Sequence, residues 1–101
     1  MRRLVESWIK AEREQHGHSL AAAIRALNGA LKTRLTHSRV AEWRRGKYAP
    51  SQAALSYILG RTLSWALRQA GIAVSSTQYQ GLEDALWVSF EKDGEPYVEL
   101  L

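Results

Sequence analysis

The chain is 101 residues long, 46% hydrophobic, and contains no cysteine. That length supports one core with a modest stability margin, and the lack of cysteine excludes a disulfide framework or a thiolate metal site as a supplement to it. The formal charge of +4 is unevenly spread, because residues 1–71 hold thirteen Lys/Arg against four Glu while residues 72–101 hold Lys92 alone against six acids.

The opening "MRRLVESWIK" is basic, but Glu6 and Lys10 interrupt its apolar residues before a signal-peptide core could form. No run of about eighteen apolar residues occurs anywhere. The expectation is a soluble, cytoplasmic protein with no membrane partner. The charge split divides it into a basic unit, 1–71, and an acidic segment, 72–101, within one compact whole. A concentrated positive field suits a polyanion, most often nucleic acid, and would repel the acidic segment from it.

Leu4, Val5, Trp8 and Ile9, with Ala11, recur at helical spacing and predict an amphipathic helix over residues 2–15, closed by Gly17. Ser19 is placed to cap a second helix, whose inner face carries Leu20, Ile24 and Leu27. Asn28-Gly29 is a stop signal, although Leu31 and Leu35 keep the apolar phase, so a loop is expected across 29–35. Thr36 then caps a third helix with Val40 and Trp43 inward and His37, Ser38, Arg39, Glu42 and Arg45 outward, ended by Gly46.

After Pro50, Ser51 starts a helical stripe of Leu55, Ile58, Leu59, Thr62, Leu63, Ala66 and Ala70, with Gly60 as a candidate break into two helices. The stretch "GIAVSSTQYQG", residues 71–81, reads as a linker. Beyond them Leu86, Val88 and Phe90 alternate with Trp87, Ser89 and Glu91, and Asp93-Gly94 is a strong hairpin turn signal. The pattern predicts a C-terminal β-hairpin with Leu86, Val88, Phe90, Tyr97 and Leu101 on one face and Trp87, Val98 and Leu100 on the other. Such a hairpin is marginal alone, so Trp87, Val88, Phe90, Tyr97, Val98 and Leu100 are its candidate dimerisation residues. The helix over 51–70 is the other candidate interface.

The segment "THSRVAEWRRGKYAP", residues 36–50, carries the chemistry. With the Ser19-capped helix before it, it has the parts of a helix-turn-helix. It resembles the phage repressor and Cro family, the lambda-repressor-like or XRE-type domains, through the polar run Thr36-His37-Ser38-Arg39, then Val40, Trp43, Arg44-Arg45, Gly46, Lys47 and Pro50. Arg44 stands where the family usually has Glu, and the turn before Thr36 is longer than usual. The resemblance covers residues 2–70 and implies a mainly α fold, a four- to five-helix lambda-repressor-like domain, here followed by the hairpin.

It also implies a DNA-binding transcriptional regulator, a dimeric repressor on a pseudo-palindromic operator, of phage, plasmid or other mobile-element origin. His37, Ser38, Arg39 and Glu42 would read base edges in the major groove. Ser19, Lys32, Arg34, Thr36, Arg44, Arg45 and Lys47 would hold phosphates, which positions the helix without specifying sequence.

The other chemistries find little support. His16 and His18 diverge on a helix and lack a third ligand, so no metal is expected. His37 and Ser38 also diverge, with no carboxylate placed to orient the imidazole. No phosphate loop or paired carboxylate motif occurs. The expectation is no enzyme activity, no cofactor and no small-molecule ligand. Two rivals stand beside the repressor: an antitoxin-type autoregulator that holds a toxin through its C-terminal segment, and a basic module for an acidic protein or membrane surface.

Overall fold

Five helices form in chain order: α1 (Arg2–His16), α2 (Leu20–Leu31), α3 (His37–Arg44), α4 (Gln52–Gln69) and α5 (Ser76–Asp93). They are seen in a computed structural model that describes residues 2–93, with side chains described as far as residue 85. α1 and α4 form the main packed pair, and α2 and α3 lean against α1. One core joins Leu4, Val5, Trp8 and Ile9 of α1, Ala23, Ile24 and Leu27 of α2, Val40 and Trp43 of α3, and Ala54, Leu55, Ile58 and Leu59 of α4. All but Ala23 and Ala54 are residues whose helical spacing predicted an inner face. Ala11, Trp65 and Ala66 form a smaller cluster beyond it, and the Lys10 ammonium lies 5.8 Å above the Trp65 ring.

Side chains start three of the helices where expected. The hydroxyls of Ser19, Thr36 and Ser51 accept from the amides of Ala22, Arg39 and Ala54, each at 3.2 Å. Each satisfies an amide that has no partner within its own helix. The predicted stripe of α4 is buried from Leu55 to Ala66, with the Thr62 hydroxyl donating to the Ile58 carbonyl at 2.7 Å. Ala70, the last residue placed on that stripe, is instead the exposed C-cap.

Three expectations need correction. First, Asn28-Gly29 does not stop α2, which continues to Leu31 and ends at Lys32 in the left-handed conformation (φ 55°). Asn28 stays helical and organises the turn instead, its Oδ1 accepting from the Thr33 hydroxyl (2.8 Å) and the Leu35 amide (2.9 Å) while its Nδ2 donates to the Leu35 carbonyl (3.0 Å). Second, Gly60 does not divide α4, which is continuous. Its carbonyl accepts from the Tyr79 hydroxyl at 2.8 Å, and a Cβ there would lie in ordinary contact with that hydroxyl at 3.6 Å.

Third, the C-terminal β-hairpin is replaced by a helix, because residues 76–93 form α5 and no strand occurs among the described residues. Half of the expected linker, 76–81, belongs to α5 as well. The reason is local: Ser75 Oγ accepts from the Gln78 amide (3.2 Å) and Gln78 Oε1 accepts from the Ser75 amide (2.9 Å), a reciprocal capping box that nucleates a helix upstream of the alternating residues. Alternation over five or six residues cannot resist a helix already begun. Trp87, Val88 and Phe90 therefore lie on α5, and Tyr97, Val98 and Leu100 lie outside the described residues.

A buried ion pair unseen in the sequence ties α1 to α4. Glu12, 1% exposed, accepts from Arg61 Nε at Oε1 (2.6 Å) and from Arg61 Nη2 at Oε2 (2.8 Å), and Nδ1 of His18 lies 2.9 Å from the same Oε2. Burial alone pushes the Glu12 carboxyl up, but hydrogen bonds from Arg61 and His18, with the charges of Arg61 and His16, outweigh it and leave the pKa below its ordinary 4.5.

Candidate nucleic-acid interface

α3 is short and divided between two environments. Val40 and Trp43 are buried, 1% and 2% exposed, so the helix is fixed to the core by one narrow edge. Its N-terminal turn, His37, Ser38 and Arg39, stands in solvent, and Glu42 lies one turn further along, partly covered. All four stay outside the core, and Arg39 and Glu42 share a face.

The far end of α3 is held in two ways. Gly46 takes a positive φ of 73°, and the amides of Gly46 and Lys47 close onto the carbonyls of Trp43 and Glu42 at 3.0 and 2.9 Å. α1 supplies the second. Arg2 Nε donates to the Arg44 carbonyl at 3.1 Å, and its stem crosses Gly46 so closely that a Cβ there would meet Arg2 Cδ at 2.8 Å. Glu6 receives Arg44 Nε at 2.7 Å and Nη2 at 3.4 Å, and this hydrogen bonding raises the Arg44 pKa further. Arg44, expected to face phosphate, thus has a structural task orienting α3 on α1.

Among the other expected phosphate-facing residues, Lys32, Arg34, Thr36, Arg45 and Lys47 are exposed around α3, on the turn before it and the turn after it. Ser19 is exposed at the opposite end of α2 from Lys32, and its hydroxyl serves as the α2 cap.

Sequence reading missed Tyr48. Half exposed (50%), its ring lies under the Arg39 guanidinium (5.3 Å to the ring centre) and the Lys47 ammonium (5.6 Å). Arg39 Nη1 also lies 3.3 Å from Glu42 Oε2. An aromatic inside a Lys-Tyr-Ala-Pro stretch that contributes nothing to either apolar stripe was the available signal.

Among the described residues, no group of His, Asp or Glu is arranged to hold a metal. His16 and His18 rings lie 5.5 Å apart, with His18 turned to Glu12. No described helix is long and apolar enough to cross a membrane. Comparison with protein-family models, with curated proteins and with solved structures finds no match for this chain.

Proposed function

We propose that the chain is a sequence-specific regulator that binds double-stranded DNA, a dimeric repressor in the manner of the helix-turn-helix family that residues 36–50 resemble. One observation carries the reading: the exposed N-terminal turn of α3, His37-Ser38-Arg39, is bracketed by exposed cations, Lys32 and Arg34 before it and Arg45 and Lys47 after it. In this reading α2 and α3 are the helix-turn-helix pair. α3 lies in the major groove, which admits one helix and presents a distinct donor and acceptor pattern for each base pair.

His37, Ser38 and Arg39 then meet base edges, with Glu42 beside them, and the bracketing cations meet phosphates. The core residues Val40 and Trp43 set the depth of the helix without touching DNA. Two copies on a pseudo-palindromic operator, about one DNA turn apart, would cover a promoter element and exclude polymerase. The acidic residues of α5, Glu83 and Asp84 among them, keep that end of the molecule away from phosphate.

Selection of duplexes from a random pool tests the reading, followed by affinity measurements over a range of salt. An enriched, two-fold symmetric sequence is expected. His37→Ala and Ser38→Ala should weaken the selected duplex more than random DNA, by roughly 1–3 kcal/mol wherever the side chain removed had bonded well to a base edge. Arg45→Ala and Lys47→Ala should weaken all duplexes alike and flatten the salt dependence by about one unit each. Equal binding of every duplex, with tight association to anionic vesicles, would replace the regulator with a basic interaction module.

A further inference from the structure

Packing does not explain why a half-exposed tyrosine stands among the cations of this surface. Tyr48 belongs to neither apolar cluster, yet Arg39 and Lys47 both lie over its ring. Arg39 is held a second time by Glu42, three residues along the same helix face. One guanidinium thus has two weak restraints, the Tyr48 ring 5.3 Å from its carbon and the Glu42 carboxylate 3.3 Å from Nη1.

We infer that Tyr48 and Glu42 are positioning residues that hold Arg39 ready to read a guanine, which makes the ring after the recognition helix a determinant of base specificity. The inference rests on the DNA-binding reading and deepens it. A guanidinium has five N–H donors in a rigid plane. A cation–π contact need consume no N–H donor, and Glu42 takes one at Nη1, so a forked pair of N–H groups remains for O6 and N7 of guanine, the bidentate match that arginine makes best.

A free arginine side chain loses much rotamer freedom when it docks. Holding it beforehand removes part of that loss from the binding step. Glu42 therefore acts through Arg39 and not by reading a base edge itself. Lys47, over the same ring, is brought beside Arg39, where it meets the adjoining phosphate. The ring itself stays outside the base stack.

The experiment uses the full chain and the duplex selected from a random pool, compared with a duplex in which the guanine opposite Arg39 is replaced by adenine. The wild type should favour guanine by roughly ten- to a hundredfold, and Arg39→Ala should abolish that preference. Tyr48→Ala and Glu42→Gln should each reduce it by roughly three- to fivefold, read as the ratio of affinities for the two duplexes so that any general gain or loss of DNA binding cancels. Tyr48→Phe keeps the ring face and should keep the preference.

An unchanged guanine preference in Tyr48→Ala overturns the inference, as does an equal loss in Tyr48→Phe, which would assign the hydroxyl a bond of its own. A wild type that selects a sequence in which Arg39→Ala alters no base preference overturns the inference alone. A wild type that binds every duplex alike overturns the regulator reading with it.

Discussion

Glu6 and Glu12 lie on the same helix, and each receives the side of an arginine from a distant part of the chain, but at very different depths. Glu12 is 1% exposed and holds Arg61 of α4, whereas Glu6 is 49% exposed and holds Arg44 of α3. The same ion pair therefore does two jobs. Beneath the surface, a carboxylate without its partner would be a buried uncompensated charge, so the Glu12 pair fixes how α1 crosses α4. At the surface, water can replace either partner, so the Glu6 pair contributes little stability and mainly sets where the end of α3 rests. α1 and α4 are thus joined by a deep pair, whereas α3 is seated by Val40 and Trp43 in the core and only trimmed at its end by the surface pair.

Breaking the deep pair should have the largest effect. Arg61→Ala should destabilise the fold by about 3 kcal/mol in denaturant titration, with His18 relieving part of the charge left on Glu12. Acid tests the same contrast. Because the folded Glu12 pKa is depressed below 4.5, its contribution is complete above that pH and is lost as pH falls through the lower folded value. The stability gap between wild type and Glu12→Gln should therefore narrow as pH drops below 4.5. No narrowing would mean that the carboxylate is not ionised in the folded protein.

The clamp on α3 should respond more weakly. Gly46→Ala puts a side chain into a left-handed backbone against the Arg2 stem and should cost about 1–2 kcal/mol in thermal unfolding. Glu6→Gln should cost less than about 1 kcal/mol, and less still at high salt. It also frees Arg44, so binding to random duplex should rise and its salt dependence steepen by about one unit. A large loss of stability in Glu6→Gln would erase the distinction between the two pairs.

Much of this architecture is local and was legible from residue order. Ser19, Thr36 and Ser51 start helices with bonds to the amide three residues on, and Val40 and Trp43 fall inward because their spacing leaves no other edge to bury. Ser75 and Gln78 follow the same local rule, so α5 was readable too; the shorter alternation at 86–91 and the Asp93-Gly94 pair drew attention from it. Asn28 was misread for another reason. Its side chain reaches forward to Thr33 and Leu35 while its backbone remains in the helix, and residue type alone cannot separate that from a stop.

The sequence by itself determined where most helices begin, which faces they bury, and that positive charge gathers in the first 71 residues. Only the tertiary structure decided which charges are free. Arg61 meets Glu12 across 49 residues and Arg44 meets Glu6 across 38, while Tyr48 comes under Arg39 once the chain turns at Gly46. Caps and stripes arise within a turn or two of helix, where neighbours along the chain are neighbours in space. The pairing of distant charges depends on the angle at which packed helices cross, and that angle is set by the whole core at once.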